Sequence, residues 1–461
     1  MKALQKSSIT YGPSKGLRSI IEYGFPVRRT IAIWMAGLAL ALGARAQGLA
    51  PEVLLLARIK LHTRQELARL PNCSCLETVQ REFRPAGGKL RALDTVRLEV
   101  LYSDRKELYA SPGERRFSEN HPVEYTGSGT IGNGYFALFL TEIAGGEARL
   151  SFEHKGEEIL RGRRLSHYAY RIPVSVSGHN MTFAEGTGTV GMRGDFWADP
   201  ATYEIVRIAM QAEDIPPPLP VRSSTTSIDY AHTNLGGSDF LLPQSADSVI
   251  VRFSGEESRN HIDFTHCHLY GAESSVSFGG GGGFPQFGAS SVLEMKRELL
   301  PALTIAVKVT TRITESTAVG TLIDGIVEAD VADKKRARKK SVIIPAGSPV
   351  RGRVRRLEWN EEKGGYYIVG IEFTDLEAAG TRYRFFADLL DMDPLPGLSH
   401  AIRTSKREVR VQPSGETRMV ESGDILSLPD LPGVGCFFVQ SKQLNLAPGF
   451  RMIWKSRALT P

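Results

Sequence analysis

Three stretches of this 461-residue chain bring chemistry-bearing side chains close together. The first is His266-Cys267-His268, with His261 nearby. On a regular strand His266 and His268 share a face, and neutral imidazoles suit zinc. A closed zinc site needs four ligands, and no others stand at a recognised spacing. A polar patch on a β face is therefore the simpler expectation. The second is Gly186-Thr187-Gly188-Thr189-Val190-Gly191, which fits G-x-G-x-x-G. That pattern cradles pyrophosphate where it leaves a strand and opens a helix. Here the following residues read as a strand reaching a turn at Asp199-Pro200, so no nucleotide is expected. The third is Asp388, Asp391 and Asp393, which offer oxygens to calcium but lack the glycine turn and closing glutamate of a helix-loop-helix site. The chain contains no G-x-S-x-G, H-E-x-x-H, P-loop or C-x-x-C pattern. No catalytic residue, cofactor or metal ligand is assigned. Because catalytic triads assemble from distant residues, an undetected hydrolase is the enzymatic reading that survives.

Charge narrows the partners. The formal net charge is +6. Residues 1–46 hold seven of the 57 Lys and Arg and one of the 51 acids, so the remainder carries 50 of each sign. No global basic field is left to hold phosphates, and no nucleic-acid partner is expected. One local run stands out, Lys334, Lys335, Arg336, Arg338, Lys339 and Lys340. It lies between two strand candidates and reads as a solvated loop tip, or as a contact for envelope proteins or an anionic surface such as lipid head groups or cell-wall polymers.

The same first 46 residues read as a signal peptide. Arg28-Arg29 precede an apolar run from Ile31 to Leu42, and Ala44-Arg45-Ala46 offers a small-x-small cleavage pattern. The run is shorter than the roughly 20 residues a bilayer span needs. An uncleaved N-terminal anchor is the other reading. The expectation is a periplasmic or otherwise exported protein, soluble after signal cleavage. In such a compartment a disulfide is permitted. Of Cys73, Cys75, Cys267 and Cys436, the first two are too close to pair with each other. A Cys75–Cys267 bridge is one candidate, and buried thiols acting as small apolar groups are the other.

These groups must be positioned by mostly β structure. Leu54, Leu55, Leu56, Ile59, Leu61, Leu67 and Leu70 recur near a 3.6-residue period, and Pro71 stops the run, which predicts a helix over 51–70. Alternating stretches such as 97–101, 227–230 and 248–253 predict strands from about 75 to 278. A second helix is expected from near Ser128, with Ile131, Phe136, Phe139, Leu140 and Ile143 on one face and Gly145-Gly146 ending it. Five glycines, Gly279 to Gly283, mark a linker. The pattern after it is again β and reads as a small barrel or sandwich. The fold class is thus mainly β (α+β): a half-open antiparallel β-barrel with covering helices at 47–278, a Gly-rich linker at 279–291, and a second small β domain at 292–461.

Two resemblances accompany this reading. The leading helix, the Gly132–Ile143 segment and the hairpin Gly194-Asp195-Phe196-Trp197-Ala198-Asp199-Pro200 into Glu204-Ile205-Val206-Arg207-Ile208 resemble the periplasmic lipoprotein-carrier family with the LolA/LolB-like fold. The hairpin is similar to the G-x-F-W-x-D-P-x-T turn common in such proteins. Leu70 to Val79 resembles exported proteins of Acidobacteria-like bacteria. Ile343-Ile344-Pro345-Ala346-Gly347-Ser348-Pro349-Val350-Arg351-Gly352 is similar to the periplasmic β-barrel component of type IV secretion and conjugation systems. The carrier resemblance implies an apolar concave face that binds acyl chains or a lipid-modified peptide, and a related branch senses mislocalised envelope components. Phe136, Leu140 and Phe183 are the candidate lining residues. The alternative is an envelope scaffold or stress-sensing interaction module with a dry, filled core. An open apolar cavity above roughly 300 Å³ would favour the carrier.

Overall fold

In the computed structural model, residues 49–458 are described except 115–116, 119–121, 127, 146–149, 271–296, 333–341, 361–364, 393–425 and 428–432. The signal segment, the glycine linker, the basic run at 334–340 and Asp393 therefore lie outside the described residues. The described residues from Leu54 on form one compact unit.

Helix α1 (Pro51–Arg69) opens with proline, which costs nothing where the amide has no intrahelical acceptor. Its stripe of Ile59 and Thr63 is buried, with Leu55, Leu56 and Leu67 packed beside them. The expected helix from Ser128 shortens to α2 (Leu138–Ala144). Residues 128–137 instead run as an irregular covering segment. The physical reason is competition for backbone amides: Glu107 accepts from the N–H of Gly134 (2.7 Å) and of Phe136 (2.8 Å), fixing a non-helical path. Gly134 adopts φ +91°, a conformation only glycine enters freely.

The first sheet has ten strands. Those used here are β1 (Cys73–Arg84), β2 (Arg91–Ser103), β3 (Lys106–Ala110), β4 (Ser151–Leu160) and β5 (Arg163–Ile172). After a two-stranded hairpin of β6 (Asn180–Phe183) and β7 (Gly186–Thr189) come β8 (Gly191–Ala198), β9 (Ile205–Glu213), β10 (Val221–Leu235), β11 (Ser238–Arg252) and β12 (Glu257–Leu269). The order is β3-β2-β1-β12-β11-β10-β9-β8-β5-β4, antiparallel throughout, with β3 and β4 at its two ends. This is the half-open barrel, curled about α2 and the covering segment. The glycine-patterned stretch at 186–191 is strand, as its neighbours dictate. The hairpin at Asp199 turns as read: its carboxylate accepts from the Ala201 N–H at 2.8 Å, an Asx turn leading into β9.

A second ten-stranded sheet is built from the C-terminal half, with Pro349–Asn360 and Tyr366–Ala378 as its long central pair. Its core centres on the fully buried Trp454, whose ring lies 5.5 Å from Phe373 and 6.0 Å from Phe385 in edge-on geometry. β2 shares backbone bonds with a turn at Val319. Val96 of β2 bridges Val319 in parallel, the Arg97 N–H donating to the Val319 carbonyl (2.8 Å) and the Val319 N–H to that of Thr95 (2.7 Å). Gly320 makes the approach possible: a Cβ there would stand 2.4 Å from the Arg97 carbonyl oxygen.

Cys75 and Cys267 are disulfide-bonded across β1 and β12, and Cys73 and Cys436 are buried free thiols. The bond sits at a β-bulge, where the register jumps between Ser74 and Leu76 and His266 turns to φ 52°. It ties residues 192 apart in sequence. A cross-link of that reach restricts the unfolded chain, so replacing the pair by Cys75→Ser and Cys267→Ser should lower unfolding stability by about 2–5 kcal/mol. Urea titration of the oxidised protein beside the double variant measures it; superimposable curves would refute a stabilising role.

Candidate ligand-binding site

The inner face of β1 sets the site. Strand alternation turns Cys73, Cys75, Glu77, Val79 and Arg81 inward together, and all five are at most 1% exposed. Above this wall lies the covering segment. The Phe136 ring packs between Tyr102 of β2 (6.3 Å, stacked) and Phe264 of β12 (5.5 Å, edge-on). The Tyr230 hydroxyl of β10 donates to the Tyr135 carbonyl, and Asn260 of β12 donates to that of Thr130. In α2, Phe139, Leu140, Ile143 and Ala144 are buried. The concave face is thus packed by side chains at the place where a hollow was expected.

One seam in this packing remains. Between α1 and the sheet, Leu67, Leu70, Leu140, Ile205, Phe240 and Leu241 line a cavity of about 20 Å³, with His62, Glu66 and Glu204 at its polar rim. That volume holds about one water molecule. Of the three lining residues expected from sequence, Leu140 borders this cavity and Phe136 belongs to the packed cover. Phe183 stands apart in the β6–β7 hairpin, where the Arg252 guanidinium lies 5.6 Å from its ring centre.

Sequence reasoning passed over the polar groups beneath the cover. Glu77 is 1% exposed, and neither carboxyl oxygen has a hydrogen-bond partner among the described residues. Burial, with the nearby charge of Glu107 adding to it, pushes its pKa up to about 8. Glu107 is also raised by burial, but Tyr109 and the covering-segment amides donate to it and favour its ionised form. Two neighbouring carboxyls are thereby differentiated: donors partly offset the effect of burial at Glu107, and no described donor does so at Glu77. The hydroxyls of Tyr109 and Tyr135 are pushed above the usual phenol range by burial and by these two acids. The signal was the alternation itself, since positions 77 and 81 share the face of Cys75 and Val79.

Arg81 makes a buried fork. Its Nε donates to Asp94 Oδ1 at 2.6 Å and Nη2 to Oδ2 at 2.5 Å, with both side chains at most 2% exposed. Nη1 donates to the Ser128 carbonyl, where the covering segment begins. The Ser128 hydroxyl in turn donates to Glu358 of the second sheet (3.1 Å), which pairs with Arg356.

Of the histidines expected as a polar patch, His261 pairs in register with Gln80 and His268 with Ser74, while His266 falls at the bulge, and Cys267 is consumed by the disulfide. His261 pairs with Asp247 at 2.7 Å, and this bond raises its pKa. Among the described residues no three His, Cys, Asp or Glu side chains stand together as metal ligands. No described helix is long and apolar enough to cross a membrane.

No protein-family model matches the chain, and no curated protein matches it. Similar solved structures include a DUF1329 family protein from Desulfovibrio piger, at 11% identity over 48% of this chain and 93% of that one, with a TM-score of 0.26. A LolA superfamily protein from Nitrosomonas europaea matches at 12% identity over 47% and 94%, with a TM-score of 0.23. A domain described as an outer membrane lipoprotein-sorting protein from Vibrio parahaemolyticus matches at 11% identity over 48% and 95%, with a TM-score of 0.24.

Removing one member of the buried fork leaves an unpaired charge. Arg81→Met should therefore destabilise by about 3–5 kcal/mol, and adding Asp94→Asn should recover part of the loss. Chemical denaturation of the single and double variants checks this; a single variant within about 0.5 kcal/mol of wild type would contradict it.

Proposed function

We propose that this is an exported, non-catalytic protein that binds the acyl chain of a lipid or lipoprotein in the cell envelope, in the seam between α1 and the concave face. The observation that carries the reading is the seam itself, where six apolar side chains from α1, the residue just after it, α2, β9 and β11 converge beside a polar rim. An empty apolar hollow is costly, so an unloaded binder of this kind collapses onto its own side chains. Each methylene that re-enters such a seam contributes about 0.8 kcal/mol, and a chain of a dozen carbons offsets a modest displacement of α1. The resemblance to lipoprotein carriers is in keeping with this reading. So is a division into two β domains at 47–278 and 292–461, joined through 279–291 after removal of 1–46. The basic run Lys334–Lys340 would then meet anionic envelope surfaces.

A second reading is favoured by one specific observation, the packing of the concave face by Phe136 and Phe264. A filled half-barrel suits an envelope scaffold or stress-sensing interaction module with no small ligand. The readings part under native mass spectrometry of protein purified from membranes. The carrier reading expects adducts of lipid mass on the wild type, reduced at least tenfold in Leu140→Trp, whose indole would occupy the seam. Wild-type protein with no adduct would leave the interaction-module reading.

A further inference from the structure

We propose that Glu77 is a proton-operated lock on the covering segment: its neutral carboxyl lets residues 134–144 close over the concave face, and its ionisation loosens them. This goes beyond ligand binding and holds whether or not a ligand exists.

The geometry comes first. Glu77 sits in the middle of β1, opposite Leu98 of β2 and Phe264 of β12, with Cys75 and Val79 as its inward neighbours on its own strand. Of these, Leu98, Phe264 and Val79 are apolar, and Cys75 is locked in its disulfide. The titratable groups that face it come from two places, Glu107 and Tyr109 on β3 and Tyr135 on the covering segment. Tyr109 and Tyr135 stay neutral through the physiological range. Among the described groups that face Glu77, Glu107 is the other carboxyl, and any charge it carries is negative. Among the described residues no donor reaches either carboxyl oxygen of Glu77. An ionised Glu77 would therefore be an anion without a described hydrogen-bond donor, beside the Glu107 carboxyl in an apolar wall.

Glu107 is also one of the groups that hold the cover down, through the amides of Gly134 and Phe136. Repulsion or water drawn in at Glu77 thus acts on a group that anchors the segment. Lifting the segment lets water reach Glu77 and returns its acidity to the ordinary glutamate range.

The sign follows from proton counting. The closed form keeps its proton up to about pH 8, and the opened form loses it in the ordinary glutamate range. Between those limits the closed form binds more protons, so rising pH favours opening by up to tenfold per pH unit. Above about pH 8 both forms are ionised and the dependence flattens. The cover is tightest in mild acid.

Amide hydrogen exchange of residues 134–144, expressed as protection relative to unstructured peptide, tests this between pH 5 and 9. Wild type should lose protection at least tenfold from pH 5 to 8 and then level off. Glu77→Gln, which stays neutral and keeps Glu107, should show a flatter profile and more protection than wild type at pH 7.5. A flat wild-type profile would overturn the lock, and so would a variant that loses protection as steeply as wild type. Were the variant not to fold, the carboxyl carbon of Glu77 followed by NMR in the wild type decides: titration near pH 4 refutes the proposal, and titration near 8 supports it.

Discussion

The inward face of β1 constrains everything above it. One strand delivers two cysteines, a glutamate, a valine and an arginine into the same interior, because a two-residue period allows no choice. Each of these side chains then imposes a condition on distant chain. Cys75 takes Cys267 from the sheet's last strand in sequence. Arg81 takes Asp94 from β2 and the start of the covering segment. Glu77 finds no hydrogen-bond partner among the described residues, and burial favours its protonated form. The register of β1 against β2 and β12 is what makes these three outcomes compatible.

That arrangement links the parts of the molecule in series. The Arg81 fork leads to Ser128, Ser128 to Glu358, and Glu358 to Arg356. A residue of the first sheet's interior is thereby bonded through the cover to the second sheet. Beside it, β2 exchanges backbone hydrogen bonds with the turn at Val319. Main-chain bonds between elements this far apart in sequence cannot slide by one residue without losing both partners, so they fix orientation more firmly than side-chain contacts do.

Much of the architecture was legible in the residues. The period of Leu55, Ile59 and Leu67 marked α1, and Pro71 its end. The alternations at 97–101 and 248–253 marked β2 and β11, and the Gly194–Pro200 pattern marked the β8–β9 hairpin. The Cys75–Cys267 pairing was one of two open readings. Three things escaped. The helix expected from Ser128 was shortened by Glu107, whose reach to those amides depends on a strand that local sequence cannot place. The hollow expected around Phe136 is filled by Tyr102 and Phe264, and packing density is a tertiary property that composition does not carry. Glu77 and Arg81 share a face with apolar neighbours, yet charged residue types argue for water, and only the fold reveals that they stay inside.

The strand order carries a consequence for the order of events in folding. β1 and β12 lie side by side in the middle of the sheet, although they are its first and last strands in sequence. A chain emerging N-terminus first, from a ribosome or a translocation pore, can pair β1 with β2 and β3 at once. The central ladder must wait until residue 269 has appeared. Until then β1 presents a bare edge, and the nascent sheet exists as two unjoined ribbons whose greasy faces need shielding. A holding factor, or rapid delivery of the whole first half, is the requirement that this connectivity places on the cell that makes it.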